Sequence, residues 1–462
     1  MKRRQNHLLT TLIVLFCAAL LAGAGYMLVQ VLPKKAPQEV SSLETNSVFE
    51  SEQSSVAPER EQAYEGEIPS GVEMTPDDTP EDGATAEGDN TGEETAPSDE
   101  TAQPSGSAAL ISAEADALAR RTLASMSQDE KIWQLFYVTP ELLTGVETAT
   151  RAGDTTKTAL EEMPVGGIIY FAKNLEDRAQ TQEMLHNTKA YTKIPLFLGT
   201  DEEGGTVSRV GSNPAMQAIA APSAQSLGEQ ADPAAVYQAG QDIGGSLHAV
   251  GFNMDFAPVA DVSSGPSSVI GSRSFGTDAQ LCASLVSVIT GSLRAEEIIP
   301  CLKHFPGYGS AITDDHYGTS ILTKTLDELE ACDFLPFASG IEAGAPFVMV
   351  SHLSVPEVVG DNTPSDLSEK IVTELLRNKL GFTGVIITDS HQMASITDLY
   401  QPGEAAVKAL QAGVDMILMP QDLQAAFDGV KTAVQNGTLS ASRIDESVLR
   451  ILQVKAEYGI LK

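Results

Sequence analysis

The chain has 462 residues and carries 63 acidic against 29 basic side chains, a formal net charge of −34 at pH 7. Nucleic-acid binding needs clustered Lys and Arg to neutralise phosphates, so this charge argues against a nucleic-acid partner. Only three cysteines lie beyond residue 35, too few and odd in number for a disulfide scaffold. The sequence has no C-x-x-C or H-E-x-x-H zinc pattern and no G-x-x-x-x-G-K-[ST] phosphate loop, so neither a metal nor an organic cofactor is expected.

The first 35 residues combine a basic start with an apolar run. Three of the first four residues are basic, and 8–32 is uncharged and mostly apolar. About 20 such residues span a bilayer as a helix, and the run exceeds the apolar core of about 7–15 residues usual in a cleaved signal peptide. An Ala-Gly-Ala sequence at 22–24 nevertheless has the form of a cleavage site. A retained membrane anchor is the favoured prediction, with the rest of the chain outside the cytoplasm, and a secreted protein is the alternative if the segment is cleaved.

Residues 36–110 are predicted to be a disordered acidic linker. Between 36 and 109 the chain has 19 acidic residues and a single basic one, Arg60, among many Ser, Thr, Pro and Gly. Such a stretch buries too little apolar surface to offset the entropy of ordering, and its charges repel one another. It therefore suits an extended tether better than a folded domain.

From residue 111 to 462, short apolar runs alternate with amphipathic stretches, which indicates one α/β domain. Near-continuous runs of Val, Ile, Leu, Phe and Met are typical of parallel strands covered on both faces. Eight strands joined by helical crossovers favour a (β/α)8 TIM-type barrel, with a doubly wound open sheet as the alternative. The predicted strands are Trp133–Val138, Gly167–Phe171, Leu196–Thr200, Phe252–Ala257, Pro300–His304, Phe347–Ser351, Gly384–Thr388 and Asp415–Met419. The helical patterns include Asp327–Ala343, Ser368–Leu380, Glu404–Ala412 and a closing helix within Ala441–Lys462.

Several predicted strands end on polar residues. Asp201 follows the third strand, Lys303 and His304 end the fifth, His352 follows the sixth and Asp389 the seventh. The active sites of (β/α)8 barrels lie at the carboxyl ends of their strands. Any one of these residues alone is better explained as a helix cap or a rim salt bridge, but together they predict a pocket.

The stretch 303–316 reads KHFPGYGSAITDDH and carries the strongest functional signal. It closely resembles the signature of bacterial β-N-acetylglucosaminidases of glycoside hydrolase family 3, the NagZ-like branch, in which an Asp-x-His pair on a mobile loop is the general acid/base. The resemblance covers nearly all of 111–462. TDEEGGTVSR at 200–209 looks like the family's Asp-x-Glu-Gly-Gly-x-Val-x-Arg segment, and GSRSF at 271–275 is similar to its Arg-Ser-Phe segment.

The resemblance implies a catalytic set of three residues. Asp389 matches the nucleophile position, and retaining glycoside hydrolysis needs such a carboxylate together with a group that donates and later accepts a proton. His316 is the implied general acid/base, since an imidazole titrates near neutrality. Asp314, two residues before it, would hold its tautomer and stabilise the imidazolium, as the Asp of a Ser-His-Asp triad does.

The resemblance also implies a sugar-binding set. A carboxylate accepts hydrogen bonds from hydroxyl groups, while Arg, Lys and His donate to hydroxyl or carbonyl oxygens. Glu203 is predicted to be structural and to pair with a basic residue at the mouth. The implied substrate-binding residues are Asp201, Arg209, Arg273, Lys303 and His304.

Three other readings stay open. A metal-dependent hydrolase would draw its ligands from His304, Asp314, His316, His352, Asp389 and His391, although Lys303 beside them would repel a cation. A non-catalytic glycan-binding module and a β-glucosidase of the same superfamily are the others. The favoured hypothesis is a monomeric, membrane-tethered, retaining exo-β-N-acetylhexosaminidase that acts on peptidoglycan fragments or related N-acetylglucosamine-containing glycans without a cofactor.

Overall fold

The structure is a computed structural model that describes residues 111–311 and 320–462. Eight parallel strands close into a barrel in the order β1-β2-β3-β6-β7-β8-β9-β10, and β4 and β5 form a small antiparallel hairpin beside it. The strands are β1 Phe136–Val138, β2 Gly167–Ile169, β3 Phe197–Thr200, β4 Glu202–Gly204, β5 Val207–Ser208, β6 Met254–Asp255, β7 Ile299–Phe305, β8 Phe347–Val350, β9 Val385–Ser390 and β10 Met416–Leu418.

Helices connect the strands and surround the barrel. The α-helices are Ala113–Ser125, Gln128–Trp133, Pro140–Thr144, Asp154–Glu162, Arg178–Ala190, Ala224–Gln230, Pro233–Val250, Ala279–Ala295, Leu326–Glu328, Phe334–Glu342, Pro356–Val359, Ala394–Thr397, Pro402–Ala412, Leu423–Gln435 and Ala441–Glu457. Two segments are π-helical, Leu329–Asp333 and Lys370–Lys379. Short 3-10 turns span Ala172–Asn174, Pro214–Met216, Gly271–Arg273 and Ser365–Leu367.

The barrel closes where β1 pairs with both its sequence neighbour and the last strand. Tyr137 is in register with Gly167 of β2 on one side and with Leu418 of β10 on the other. A Cβ on Gly167 would lie 2.4 Å from the Tyr137 ring, so glycine leaves the space that this ring fills. Tyr137 also meets Phe256 edge-on, with ring centroids 5.1 Å apart. The interior of the barrel is therefore a packed aromatic and aliphatic core, as in other barrels of this type.

The predicted (β/α)8 barrel is confirmed, and all eight predicted strands are present. The first strand starts later than predicted, because Trp133 belongs to the helix Gln128–Trp133. That helix begins with a capping box in which the Ser127 side chain accepts from the Glu130 N–H and the Glu130 side chain accepts from the Ser127 N–H. Capping boxes satisfy two otherwise unpaired donors, and this one fixes the helix start close to the strand.

The first and last described helices are tied together. The Ser112 N–H donates to Glu457 Oε2 at 2.8 Å, and Gln453 Nε2 donates to Asp116 Oδ1 at 2.6 Å. Within the described residues, 111–311 and 320–462, no helix is both long and apolar enough to cross a membrane. The predicted membrane segment 8–32 and the predicted linker 36–110 lie outside the described residues.

Candidate active site

A pocket of about 570 Å³ opens at the carboxyl ends of the barrel strands. Its walls bring together six of the eight residues that the sequence singled out. The other two, Asp314 and His316, lie outside the described residues. The six residues in the pocket are Asp201, Arg209, Arg273, Lys303, His304 and Asp389.

Lys303 is buried between two carboxylates. Its Nζ atom lies 2.7 Å from Asp201 Oδ1 and 2.6 Å from Glu203 Oε1, and its side chain is 3% exposed. Burial alone would lower the pKa of Lys303, but Asp201 and Glu203 outweigh it and raise the pKa above its ordinary value. The ammonium group therefore stays charged at neutral pH and holds both carboxylates in place.

Glu203 also forms a two-point contact with Arg273. Arg273 Nε donates to Glu203 Oε2 and Arg273 Nη2 donates to Glu203 Oε1, both at 2.8 Å. Burial raises the pKa of Glu203, but Lys303 and Arg273 overcome it and bring the pKa down to about 2. The predicted pairing of Glu203 with a basic residue is present, and it involves two such residues.

The hairpin β4–β5 places Arg209 beside Asp201. The buried Glu202 carboxylate accepts from the N–H groups of Arg209 and Val210 at 2.8 and 2.7 Å and from the Ser208 hydroxyl. Gly204 turns the hairpin at φ +79°, where a Cβ would lie 2.4 Å from the Pro222 carbonyl oxygen. Arg209 Nη2 then lies 3.9 Å from Asp201 Oδ2. Glu202 thus acts through the backbone to position an arginine of the pocket.

His304 is oriented by Asp261, a residue that the sequence analysis missed. His304 Nδ1 lies 2.8 Å from Asp261 Oδ2, and the same carboxylate accepts from the backbone N–H groups of His304 and of Tyr308. The other ring nitrogen, Nε2, lies 3.4 Å from Arg273 Nη2 at the pocket wall. Asp261 stands in the apolar sequence Val-Ala-Asp-Val. An acid in such a context needs a buried partner, and that signal could have identified it.

Asp389 is the last but one residue of strand β9 and lines the pocket. Its Oδ1 atom accepts from the Ser390 N–H at 2.7 Å. Burial raises the pKa of Asp389, but His304 and His352, the Ser390 N–H and Lys303 outweigh it, so the pKa is lowered. The carboxylate is thus ionised at neutral pH, a state that the predicted nucleophile role requires.

The pocket also has apolar lining residues. Hydrophobic walls with a few convergent polar groups are typical of small-molecule sites, and a sugar ring also combines polar edges with apolar faces. The apolar lining residues are Ile169, Phe171, Val207, Met349, Met393, Ala394, Leu418 and Met419.

The backbone before residues 312–319 is closely packed. The Gly309 carbonyl oxygen accepts from the Ser264 N–H at 3.0 Å and from the Ser268 hydroxyl at 2.7 Å. A Cβ on Gly309 would lie 1.9 Å from the Val262 carbonyl oxygen, so only glycine fits. These contacts fix the position of Gly309, five residues after the pocket residue His304.

One group among the described residues has the composition and spacing of a metal-binding cluster: His352, Asp366 and His391. His304 and Asp389, which the metal-dependent hypothesis also invoked, do not belong to this group. His304 uses Nδ1 to contact Asp261. The metal ligands that the sequence suggested and the structure describes therefore lie in two separate places. His304 and Asp389 line the pocket, whereas His352 and His391 belong to the buried cluster.

The pocket at the strand ends of this (β/α)8 barrel combines a buried carboxylate with oriented Arg, Lys and His side chains, and these are groups that glycoside hydrolysis can use. The comparison with known families agrees. The sequence model described as the glycosyl hydrolase family 3 N terminal domain matches residues 127–454. The chain belongs to glycosyl hydrolase family 3, so the family resemblance is confirmed.

Several relatives carry hexosaminidase names. "Beta-hexosaminidase LpqI" of Mycobacterium tuberculosis is 35% identical over 271 residues, which are 57% of this chain and 68% of that protein. "Beta-hexosaminidase A" of Pseudoalteromonas piscicida is 31% identical over 325 residues, 63% of this chain and 53% of that protein.

Solved structures that resemble this chain include a member of the same family. A glycoside hydrolase family 3 beta-N-acetylglucosaminidase from Paenibacillus sp. str. FPU-7 superposes with a TM-score of 0.69 at 32% identity, covering 73% of this chain and 63% of that one. The chain thus spans about half to two thirds of the length of these relatives.

Proposed function

We propose that the protein is a retaining exo-β-N-acetylhexosaminidase that releases terminal β-linked N-acetylglucosamine from peptidoglycan fragments or related glycans. The observation that carries the proposal is the ionised Asp389 carboxylate in one pocket with Asp201, Lys303 and His304. The hexosaminidase names of the relatives support the choice of sugar.

The reaction proceeds in two displacements. Asp389 attacks the anomeric carbon, the bond from that carbon to the leaving oxygen breaks, and His316 gives the leaving oxygen a proton. A water molecule then gives His316 its proton and attacks the same carbon, which releases the sugar and regenerates Asp389. The roles of His316 and Asp314 rest on the family resemblance, since both lie outside the described residues.

The polar residues of the pocket bind the sugar with side chains that are oriented before the substrate enters. Asp201 accepts hydrogen bonds from hydroxyl groups, while Arg209, Arg273, Lys303 and His304 donate to hydroxyl or carbonyl oxygens. The internal ion pairs hold these groups in place before substrate enters. Such preorganisation reduces the cost of orienting the sugar for attack.

The test is turnover of two aryl glycosides by the full chain, purified in mild detergent. The enzyme should release the aryl group from the β-N-acetylglucosaminide and not from the β-glucoside. Asp389→Ala should lower kcat/KM about 10³-fold or more, or about 4 kcal/mol of transition-state stabilisation. Asp428→Ala is the matched control, because Asp428 lies exposed on the outer helix Leu423–Gln435.

Each other outcome selects a different reading. Preference for the glucoside would make the protein a β-glucosidase of the superfamily. Full activity of Asp389→Ala would remove Asp389 from the nucleophile role. No turnover of either substrate by a folded protein would favour a glycan-binding module.

The cellular location is part of the proposal. Residues 8–32 anchor the protein in the cell membrane, residues 36–110 act as an acidic tether, and the monomeric catalytic domain works outside the cytoplasm. Cleavage near 22–24 would instead release it as a secreted enzyme. Fractionation of cells that produce the full chain or a variant lacking 1–35, with N-terminal sequencing of the product, distinguishes the two fates.

A further inference from the structure

Behind the pocket lies a buried group of three side chains to which the proposed reaction assigns no role. His352 follows strand β8, Asp366 lies in the 3-10 turn Ser365–Leu367, and His391 follows strand β9. Their relative exposures are 0%, 0% and 2%. Polar groups buried this completely need partners, and these three are each other's partners.

The Asp366 carboxylate bridges the two imidazoles. Its Oδ1 atom lies 3.0 Å from His352 Nδ1, and its Oδ2 atom lies 2.9 Å from His391 Nε2. The first contact is not aligned as a hydrogen bond. His352 Nε2 lies 2.9 Å from the Ser390 carbonyl oxygen, so both ring nitrogens face oxygen atoms, and this favours a doubly protonated imidazolium opposite the Asp366 carboxylate. Each contact has the length of a direct ion pair or hydrogen bond, whereas two ligands of a tetrahedral zinc at about 2.0 Å would lie about 3.3 Å apart.

The group is fastened to the backbone of the nucleophile. His352 Nε2 donates to the Ser390 carbonyl oxygen at 2.9 Å. The N–H of the same Ser390 donates to Asp389 Oδ1 at 2.7 Å. His391 is the next residue in the chain, and its ring is held by Asp366. The segment Asp389–His391 is thus held at two points by one buried carboxylate and its partners.

The charges of the group follow from its surroundings. Burial lowers the pKa of His352, but Asp366 outweighs it and raises the pKa to about 9. Burial raises the pKa of Asp366, but His352 and then His391 bring it down to about 2. Burial lowers the pKa of His391 despite its contact with Asp366. At neutral pH the group therefore consists of one cation, one anion and one neutral imidazole.

We propose that His352, held by Asp366 and His391, is a positioning residue that fixes the Asp389–His391 backbone and supplies a buried positive charge to the Asp389 carboxylate. The proposal rests on the proposed function, because it assigns His352 a task in the reaction of Asp389. Lys303 also presents positive charge to Asp389. Removing His352 therefore weakens the stabilisation of the carboxylate without abolishing it.

The test separates charge from hydrogen bonding by comparing His352→Gln with wild type. Gln keeps an N–H donor for the Ser390 carbonyl but carries no charge. In the pH profile of kcat/KM on the aryl β-N-acetylglucosaminide, the acidic limb should shift to higher pH by about 0.5 to 1 pH unit. At neutral pH kcat should fall about 10-fold or more. Asp366→Asn should change both in the same direction, because the anion that keeps His352 charged is lost.

His186→Gln is the matched control, since His186 is exposed on the helix Arg178–Ala190 and should leave both the profile and kcat unchanged. An unshifted acidic limb in a folded His352→Gln enzyme would overturn the proposal. An inactive wild-type enzyme would instead be a failure of the proposed function.

If the substitutions prevent folding, ¹⁵N-histidine NMR of the wild-type protein decides the question. One buried histidine should remain doubly protonated at pH 8, and a second should be a neutral single tautomer. A neutral His352 at that pH would refute the charge assignment. Stoichiometric zinc in the purified protein, lost in His391→Gln, would replace the proposal with a metal site.

Discussion

Replacing Glu203 by Gln tests whether the ion pairs in the pocket stabilise the fold as strongly as their geometry indicates. The Glu203 side chain is 3% exposed and lies between Lys303 Nζ at 2.6 Å and the two Arg273 nitrogens at 2.8 Å. A glutamine has the same shape but no charge. Its NH₂ group would also face a cation, where neither partner can accept a hydrogen bond.

The magnitude follows from the pKa of Glu203. Lowering a carboxyl pKa from 4.5 to about 2 corresponds to about 3 kcal/mol at about 1.36 kcal/mol per pH unit. The folded pKa is the lower one, so this stabilisation is fully present above pH 4.5 and is lost as the pH falls through about 2. We expect Glu203→Gln to lower the free energy of unfolding by about 3 kcal/mol at pH 7.

Urea unfolding measures this difference, and the chain has a convenient probe. Its single tryptophan, Trp133, is buried and stacks on Phe427 with ring centroids 3.9 Å apart, so its fluorescence reports loss of packing. The difference in the free energy of unfolding between wild type and variant should shrink at pH 3 to about half its value at pH 7. Glu183→Gln, at an exposed helical position, is the control. A difference in unfolding free energy below about 1 kcal/mol at pH 7, or one that does not change with pH, would show that the ion pairs of Glu203 do not stabilise the fold in this way.

Three further predictions follow from the same contacts. Asp261→Asn should lower kcat/KM on the aryl β-N-acetylglucosaminide about 10-fold or more without loss of fold, because His304 loses the carboxylate that orients it; wild-type kinetics would contradict this. Asp415→Asn should lower the urea-derived stability by about 3 kcal/mol or more, because this buried carboxylate pairs with three arginines; a loss under 1 kcal/mol, on the order of a surface pair, would contradict it. Prolonged EDTA treatment should leave hydrolysis unchanged; a loss of activity that added zinc restores would support the metal-dependent alternative.

The barrel was predictable because its signal is local. Each strand of the barrel is a short apolar run, and burial on both faces requires such runs whatever the neighbouring strands are. The boundaries were less predictable because side-chain caps decide them. The helix that ends at Trp133 owes its start to Ser127 and Glu130, and its length moved the first strand forward. The π-helical form of Lys370–Lys379 also has no counterpart in the period of its apolar residues.

The pocket was predictable only in part. Asp201, Lys303 and Asp389 stand at or just after strand ends, and strand ends of a parallel barrel meet at one rim. Their partners come from distant parts of the chain. Asp261 is 43 residues from His304, and Asp366 is 25 residues from His391. Sequence spacing carries no information about which acid meets which base when the contact is made through the fold.

The same long-range pairing explains how a pocket with three carboxylates and three Arg or Lys side chains could bind the neutral sugar proposed as its substrate. Net charge cannot attract such a ligand, so binding depends on donors and acceptors that are already oriented. Lys303 fixes Asp201 and Glu203, and Glu203 in turn fixes Arg273. A change at one member therefore alters the position and charge of the next. We expect substitutions of Glu203 and Arg273 to be strongly non-additive in a double-mutant cycle, because each leaves the other as an incompletely paired buried ion. Additive effects would show instead that each side chain contributes only through its own contact with the sugar.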